Sequence, residues 1–194
     1  MKQPAIHYEK TNAIWQLSNT LKAHIPYYSQ EIIFCCIGTD RSTGDSLGPF
    51  TGSALQRAPH FHLPVYGTIE KPLHALNLVS ELPAIYARYE NPFIVAIDAC
   101  VGTAEHIGQI FIEKGPIYPG QAFQKNLPPV GHLSIKAVVN MYDSSYTHFQ
   151  TTRLHVIQQM SHIITEAIIQ SATSPPSKLI HDRYNEANYY NTWQ

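Results

Sequence analysis

The sequence predicts an α/β fold, a three-layer α/β/α sandwich with a mainly parallel sheet. Three observations predict it. The apolar runs 32–37 and 92–100 are continuous rather than alternating, as in parallel strands buried on both faces. Segments with helical spacing alternate with the strands along the chain. The first strand also leads through a polar, glycine-bearing loop into a helix, as open α/β sheets do where they build a site at the carboxyl ends of their strands.

The elements follow in order. Residues 11–25 set Ala13, Ile14, Leu17, Leu21 and Ile25 at helical spacing, with Thr11 or Asn12 placed to cap the start. The strand 32–37 comes next, then the polar loop and a helix over 50–57. Residues 64–69 read as a short second strand. A helix over 73–89 carries Leu73, Leu76, Leu78, Leu82, Ile85 and Tyr86, and Pro83 should kink or restart it. The strand 92–100 ends in a carboxylate, Asp98, and 108–113 is a further strand. Residues 115–131 are rich in proline and glycine and long enough to form a functional flap. Residues 133–141 are strand-like, and 151–169 form a strongly amphipathic helix. After Ser171 the composition turns to Ser, Pro, Asn and Tyr. One domain over 1–171 and a polar tail over 172–194 are therefore expected.

Composition narrows the function classes. Hydrophobic residues make up 44% of the 194 and charged residues only 14%, which fits a globular chain. The net charge of −1 and the lack of any lysine–arginine cluster argue against a nucleic-acid partner. No apolar stretch reaches the roughly twenty residues a membrane helix needs, and residues 1–10 lack the apolar core of a signal peptide. Cys35, Cys36 and Cys100 are odd in number, match no CxxC pattern and read as buried free thiols. A soluble protein in the reducing cytoplasm is expected.

The loop Gly38–Pro49 concentrates the polar chemistry. It lacks the GK[ST] ending of a P-loop, so nucleotide hydrolysis is not indicated. Residues 44–47 spell GDSL, but the DxxH element that would complete a serine-hydrolase triad around Ser46 is missing. What remains is a pair of carboxylates, Asp45 and Asp98, each near the end of a parallel strand. Two carboxyl groups held close cannot both ionise freely, so they share a proton and can serve as acid and base toward water. The alternatives are a helix cap for Asp45 and loop orientation by Asp98. Asp40 and Arg41 either pair to shape the loop or contact substrate. Of eleven histidines, His132 is the best placed to approach the site and His74, at a helix start, is weaker. With Asp45 and Asp98, His132 could complete a metal site.

The run Cys36-Ile37-Gly38-Thr39-Asp40-Arg41-Ser42-Thr43-Gly44-Asp45-Ser46-Leu47-Gly48-Pro49 resembles the YyaC family of sporulation proteins from spore-forming Firmicutes. Residues 65–68, 72–78, 97–100 and 127–131 agree, and the resemblance runs from about residue 32 to 169. That family is described as spore proteases and is similar to the germination protease and to hydrogenase maturation endopeptidases. The resemblance therefore implies a hydrogenase-maturation-protease-like fold. In the germination protease an Asp-Ala-Leu-Gly-Pro motif and a later Asp-Ala pair supply two proposed catalytic aspartates. Here Asp45-Ser46-Leu47-Gly48-Pro49 and Asp98-Ala99 resemble them. The maturation endopeptidases sense nickel with an acidic pair and a histidine, after a Gly-x-Gly-Asn segment. Gly38-Thr39-Asp40 departs from that pattern.

The resulting expectation is a spore endopeptidase of sporulation or germination, with Asp45 and Asp98 catalytic and Asp40, Arg41 and His132 binding substrate. No cofactor and no metal are expected. The resemblance implies a protein or peptide substrate, small acid-soluble spore proteins among the candidates, in the cytoplasm of the forespore or spore. The alternatives are a non-catalytic protein that binds a peptide or partner in the same cleft, and a metal-dependent endopeptidase.

Overall fold

The computed structural model describes residues 5–120, 127–142 and 148–173. In chain order the elements are β1 (Ile6–His7), α1 (Ala13–His24), β2 (Ile32–Cys36), α2 (Leu47–Arg57), β3 (Val65–Tyr66) and α3 (Leu78–Tyr86). They continue with β4 (Phe93–Gly102), β5 (Gln109–Lys114), β6 (Leu133–Met141), α4 (His148–Thr151) and α5 (Leu154–Thr173). The strands form one sheet in the order β1-β5-β6-β4-β2-β3. β3, β2, β4 and β6 run parallel to their neighbours, while β5 and β1 are antiparallel additions at one edge. The mainly parallel α/β architecture expected from the sequence is the one found.

The continuous apolar runs are explained by two cores. Side chains alternate across a strand, so both parities of β2 and β4 must be apolar when helices cover both faces. Ile33, Cys35, Ile94 and Ala96 pack with Leu78, Leu82 and Ile85 of α3. Ile32, Phe34, Cys36, Val95 and Ile97 pack with Leu17 and Leu21 of α1, Leu55 of α2, and Ile157, Met160, Ile164 and Ile168 of α5. Burial pushes the Cys35 thiol up to about 12, and Cys36 is wholly enclosed, so both behave as small apolar residues. No helix among the described residues is long and apolar enough to cross a membrane.

Several boundaries differ from the sequence expectation for local reasons. The helix over 73–89 contracts to α3. Asn77 accepts from the His74 amide (2.8 Å) and donates to the Pro72 carbonyl (2.9 Å), which fixes residues 72–77 as a turn. Pro83 lies inside α3 without ending it. The strand over 64–69 shortens to β3, because Gly67 turns to φ +88°. Asn12 occupies the start of α1 but makes no side-chain cap bond. β1 has no counterpart in the sequence reading, and α5 runs on to Thr173; the remainder of the polar tail lies outside the described residues.

Phe34 is fully buried at the centre of the larger core and meets Phe61 at 5.6 Å between ring centres. Phe34→Ala should lower unfolding free energy by about 3–5 kcal/mol, measured as the shift in a urea titration.

Candidate active site

The site begins where β2 stops. Ile37 forms a parallel bridge with Leu73, and the next two amides point to different segments. The Gly38 amide donates to the Leu73 carbonyl (2.9 Å), and the Thr39 amide donates to the Asp45 carbonyl (3.0 Å). This double fastening needs a glycine. Gly38 adopts φ +137°, and a Cβ there would lie 2.0 Å from the Asp45 carbonyl oxygen. Gly48 does the same one turn on, since a Cβ would lie 2.1 Å from the Ile37 carbonyl oxygen. The loop's glycines thus let backbone meet backbone.

Asp45 sits in a single 3-10 turn, Gly44–Ser46, that runs directly into α2. No side-chain cap bond is made at the start of either the turn or the helix. The capping role therefore does not account for Asp45. Ser46 is 2% exposed, and its hydroxyl donates to the Thr43 carbonyl (2.5 Å), which leaves the GDSL serine enclosed.

Asp98 enters from β4, which outruns β2. The β2–β4 pairing ends at Cys36↔Ile97, so Asp98 is the first residue past the shorter strand. On its other side it remains paired, with Lys136 of β6 opposite. Sequence reasoning put Asp98 at the strand's end; it lies inside a longer strand and at the end only of its neighbour. Ile94 and Ala96, on the same face, lie under α3, whereas Asp98 and Cys100 line a cavity of about 410 Å³ together with Asp45. Pro116, Ile117, Tyr118 and Gly120 line the same cavity, so the described part of the expected flap does border the site. Its residues 121–126 lie outside the described residues.

Burial and mutual repulsion shape the pair. Burial raises the Asp45 carboxyl to about 6, opposed by the Thr39 amide and by the charge of His74. Asp98 is raised well above the ordinary carboxylate value, first by burial and then by the Asp45 charge, against a hydrogen bond from the Ala99 amide. The two therefore titrate as a coupled pair. Both carboxyls are raised, so the arrangement favours one proton shared by the pair. Burial and the nearby Asp98 charge push the Cys100 thiol up to about 12, so Cys100 is no ready nucleophile.

The other expected site residues fare differently. Asp40 and Arg41 are exposed, and neither lines this cavity. Among the described residues they form no ion pair with each other; the Arg41 amide instead donates to Thr39 Oγ1 at 3.3 Å. His132 stands just before β6, at the amino end of a strand parallel to β4. That is the opposite end of the sheet from Asp45 and Asp98. Its Nδ1 accepts from the Ile94 amide (3.0 Å), and its ring stacks on Phe93 at 5.4 Å. The set Asp45, Asp98 and His132 is thus not assembled. Among the described residues no three His, Cys, Asp or Glu side chains are placed to hold a metal ion.

Sequence reasoning passed over three residues that line the cavity and ranked a fourth, His74, too low to use. Lys136 was visible as the one charge in the apolar run 133–139, and in the fold its ammonium pairs with Glu113. Tyr118 and Tyr142, both more than half exposed, line the cavity without a periodic pattern to mark them. His74, ranked below His132 as a helix start, lies near enough for its charge to favour the ionised form of Asp45 slightly, after burial and the Thr39 amide.

A family model described as "Protein of unknown function (DUF1256)" matches residues 5–167. The chain belongs to the DUF1256 family. It is 41% identical over 138 residues to the "Uncharacterized protein YyaC" of Bacillus subtilis (strain 168), covering 71% of this chain and 67% of that protein. This agrees with the resemblance carried by the 36–49 run. The crystal structure of a NiFe hydrogenase maturation protease HycI from Thermococcus kodakarensis KOD1 is similar with a TM-score of 0.47 and 15% identity, over 77% of this chain and 99% of that one. An identity so low says nothing of shared chemistry.

For this DUF1256 member the raised Asp45 carboxyl has a stability consequence. The folded state holds its proton more tightly than the unfolded chain. Its contribution is therefore fully present below pH 3.8 and lost as pH rises through about 6. Asp45→Asn should match wild type near pH 4 and exceed it near pH 7 by up to about 3 kcal/mol, read from urea unfolding at the two pH values.

Proposed function

We propose that this protein is an endopeptidase in which Asp45 and Asp98 activate water against a peptide bond. The observation that carries the reading is electrostatic: two carboxyl groups on separate elements line one cavity, and the charge of Asp45 raises Asp98. The ionised Asp45 takes a proton from water as the oxygen attacks the carbonyl carbon. The protonated Asp98 gives its proton to the carbonyl oxygen, so the tetrahedral intermediate forms without net charge on that oxygen. Collapse returns that proton to Asp98, while Asp45 passes its own to the departing amine as the C–N bond breaks. Both residues end as they began.

The substrate is proposed to be a protein, in line with the resemblance of the 36–49 run to sporulation proteins described as spore proteases. Spore proteins, the small acid-soluble ones included, are the first to test, and the forespore or spore cytoplasm is the proposed compartment. Asp40 and Arg41, exposed on the loop that carries Asp45, are proposed to meet substrate outside the cavity. His132 has no part in this reading because it lies at the other end of the sheet.

Asp45→Asn and Asp98→Asn should each reduce kcat/KM on a cleaved spore protein by about 100-fold or more. Wild-type activity in either variant would refute the mechanism. The wild-type kcat/KM should rise through about pH 6 as Asp45 ionises, then fall at higher pH as Asp98 loses its proton. A profile flat across pH 5–9 would contradict the shared proton.

A further inference from the structure

Three aromatic side chains line the cavity of Asp45 and Asp98, and each comes from a different segment. Tyr118 belongs to the flap, Tyr142 follows β6, and Phe149 lies in α4. Phe149 is the inner one. It is buried, and it packs so closely on the turn that carries Asp45 that a Cβ on Gly44 would lie 2.7 Å from its Cδ1. The two tyrosines are the outer ones, each more than half exposed. Their backbones are nevertheless fixed. The Tyr142 amide donates to the Gly102 carbonyl (2.7 Å), where the β4–β6 ladder ends. Tyr118 follows Ile117, whose amide and carbonyl both bond Val130 (2.8 and 2.9 Å) and whose side chain packs in the smaller core.

A single exposed tyrosine needs no explanation. Two of them on anchored backbones, both lining the cavity that holds the acid pair, make a preorganised apolar mouth. A tyrosine ring offers a large apolar face and loses little conformational freedom on contact, because it turns about two side-chain bonds. Val101, Pro116 and Ile117 extend the apolar lining. Met141, the residue before Tyr142, is exposed as well. At about 410 Å³ the cavity is at the small end of ligand pockets, which suits one side chain and its peptide bond.

Charge points the same way. Lys136 is the one cation among the residues that line the cavity, and its ammonium is already matched by Glu113. An acidic substrate side chain would find no free partner there and would meet two acids. A basic one would favour the ionised form of both acids and so remove the proton they share.

The geometry points to Tyr118 and Tyr142 as the specificity-determining residues of this site, holding an aromatic or long aliphatic side chain of the residue beside the scissile bond. The inference rests on the endopeptidase reading and adds the substrate class to it. Large apolar side chains are mostly buried in folded proteins, so the substrate is a segment that presents one in unfolded or extended form.

The test is cleavage of a peptide library made from a denatured protein extract, with the cut sites read by mass spectrometry. In wild type, large apolar residues on one side of the cut should be favoured about tenfold or more over charged ones. On a peptide with such a site, Tyr118→Ala and Tyr142→Ala should each raise KM about tenfold with kcat little changed. Tyr118→Phe and Tyr142→Phe should match wild type, since the ring and not the hydroxyl makes the contact. Cut sites without an apolar preference, or an unchanged KM in both Ala variants, would overturn the assignment and leave the endopeptidase reading in place. Binding is read without turnover by saturation-transfer NMR with N-acetyl-phenylalaninamide, which should contact wild type and lose that contact in the double Ala variant. If the probe behaves so but no peptide is cut, the endopeptidase reading fails and the apolar subsite stands. A probe that binds both proteins alike, or neither, overturns the subsite.

Discussion

Everything at the carboxyl end of this sheet depends on the fastening by the Gly38 and Thr39 amides. The strand β2 ends at Cys36, and the chain must then bring a seven-residue loop back against its own root. Two adjacent amides do this by holding carbonyls from two different segments. The close approach needs the absence of a side chain at Gly38, where a Cβ would sit 2.0 Å from the Asp45 carbonyl oxygen. A larger residue there would have to push the Asp45 turn away, and with it the alignment of Asp45 against Asp98. The geometry of the candidate site and the backbone packing are the same constraint here.

A second consequence follows from unequal strand lengths. Because β4 continues past β2, Asp98 is held rigidly by its pairing to β6 while its β2 side opens into a cavity. The Asp98 carboxyl is desolvated there, and a second carboxyl group, Asp45, lines the same cavity. Such an arrangement destabilises the ionised pair, which is what turns two ordinary acids into a proton-sharing unit.

The fold was legible because strand burial leaves a strong signal. The runs 32–37 and 92–97 are apolar at every position, and a sheet covered on both faces accounts for that. That Asp45 and Asp98 meet at one cavity was legible for a related reason: a carboxylate in or just beyond such a run marks where the covering helices stop. His132 was misplaced by a rule that ignored direction. In a parallel sheet, a residue before a strand and a residue after its neighbour lie at opposite ends, and sequence proximity to a flap cannot reveal which. His74 was ranked below His132 as the start of a helix, yet the Asn77 side chain takes the backbone bonds a helix would use there. Lys136 was missed for want of a rule; a lone charge in an apolar strand marks a position that is not fully covered. β5 was expected as the strand over 108–113, but the two-residue β1 left no signal that it would pair there.

The central claim is that Asp45 and Asp98 share one electrostatic environment. It is tested most directly by following the Asp98 carboxyl by carbon-13 NMR from pH 4 to 9 in wild type and in Asp45→Asn. Removing the Asp45 charge should move the Asp98 inflection to lower pH, since that charge is one of the two causes that raise it. An Asp98 titration that is unchanged by the substitution would show that the two carboxyl groups do not sense each other, and the site would lose its basis.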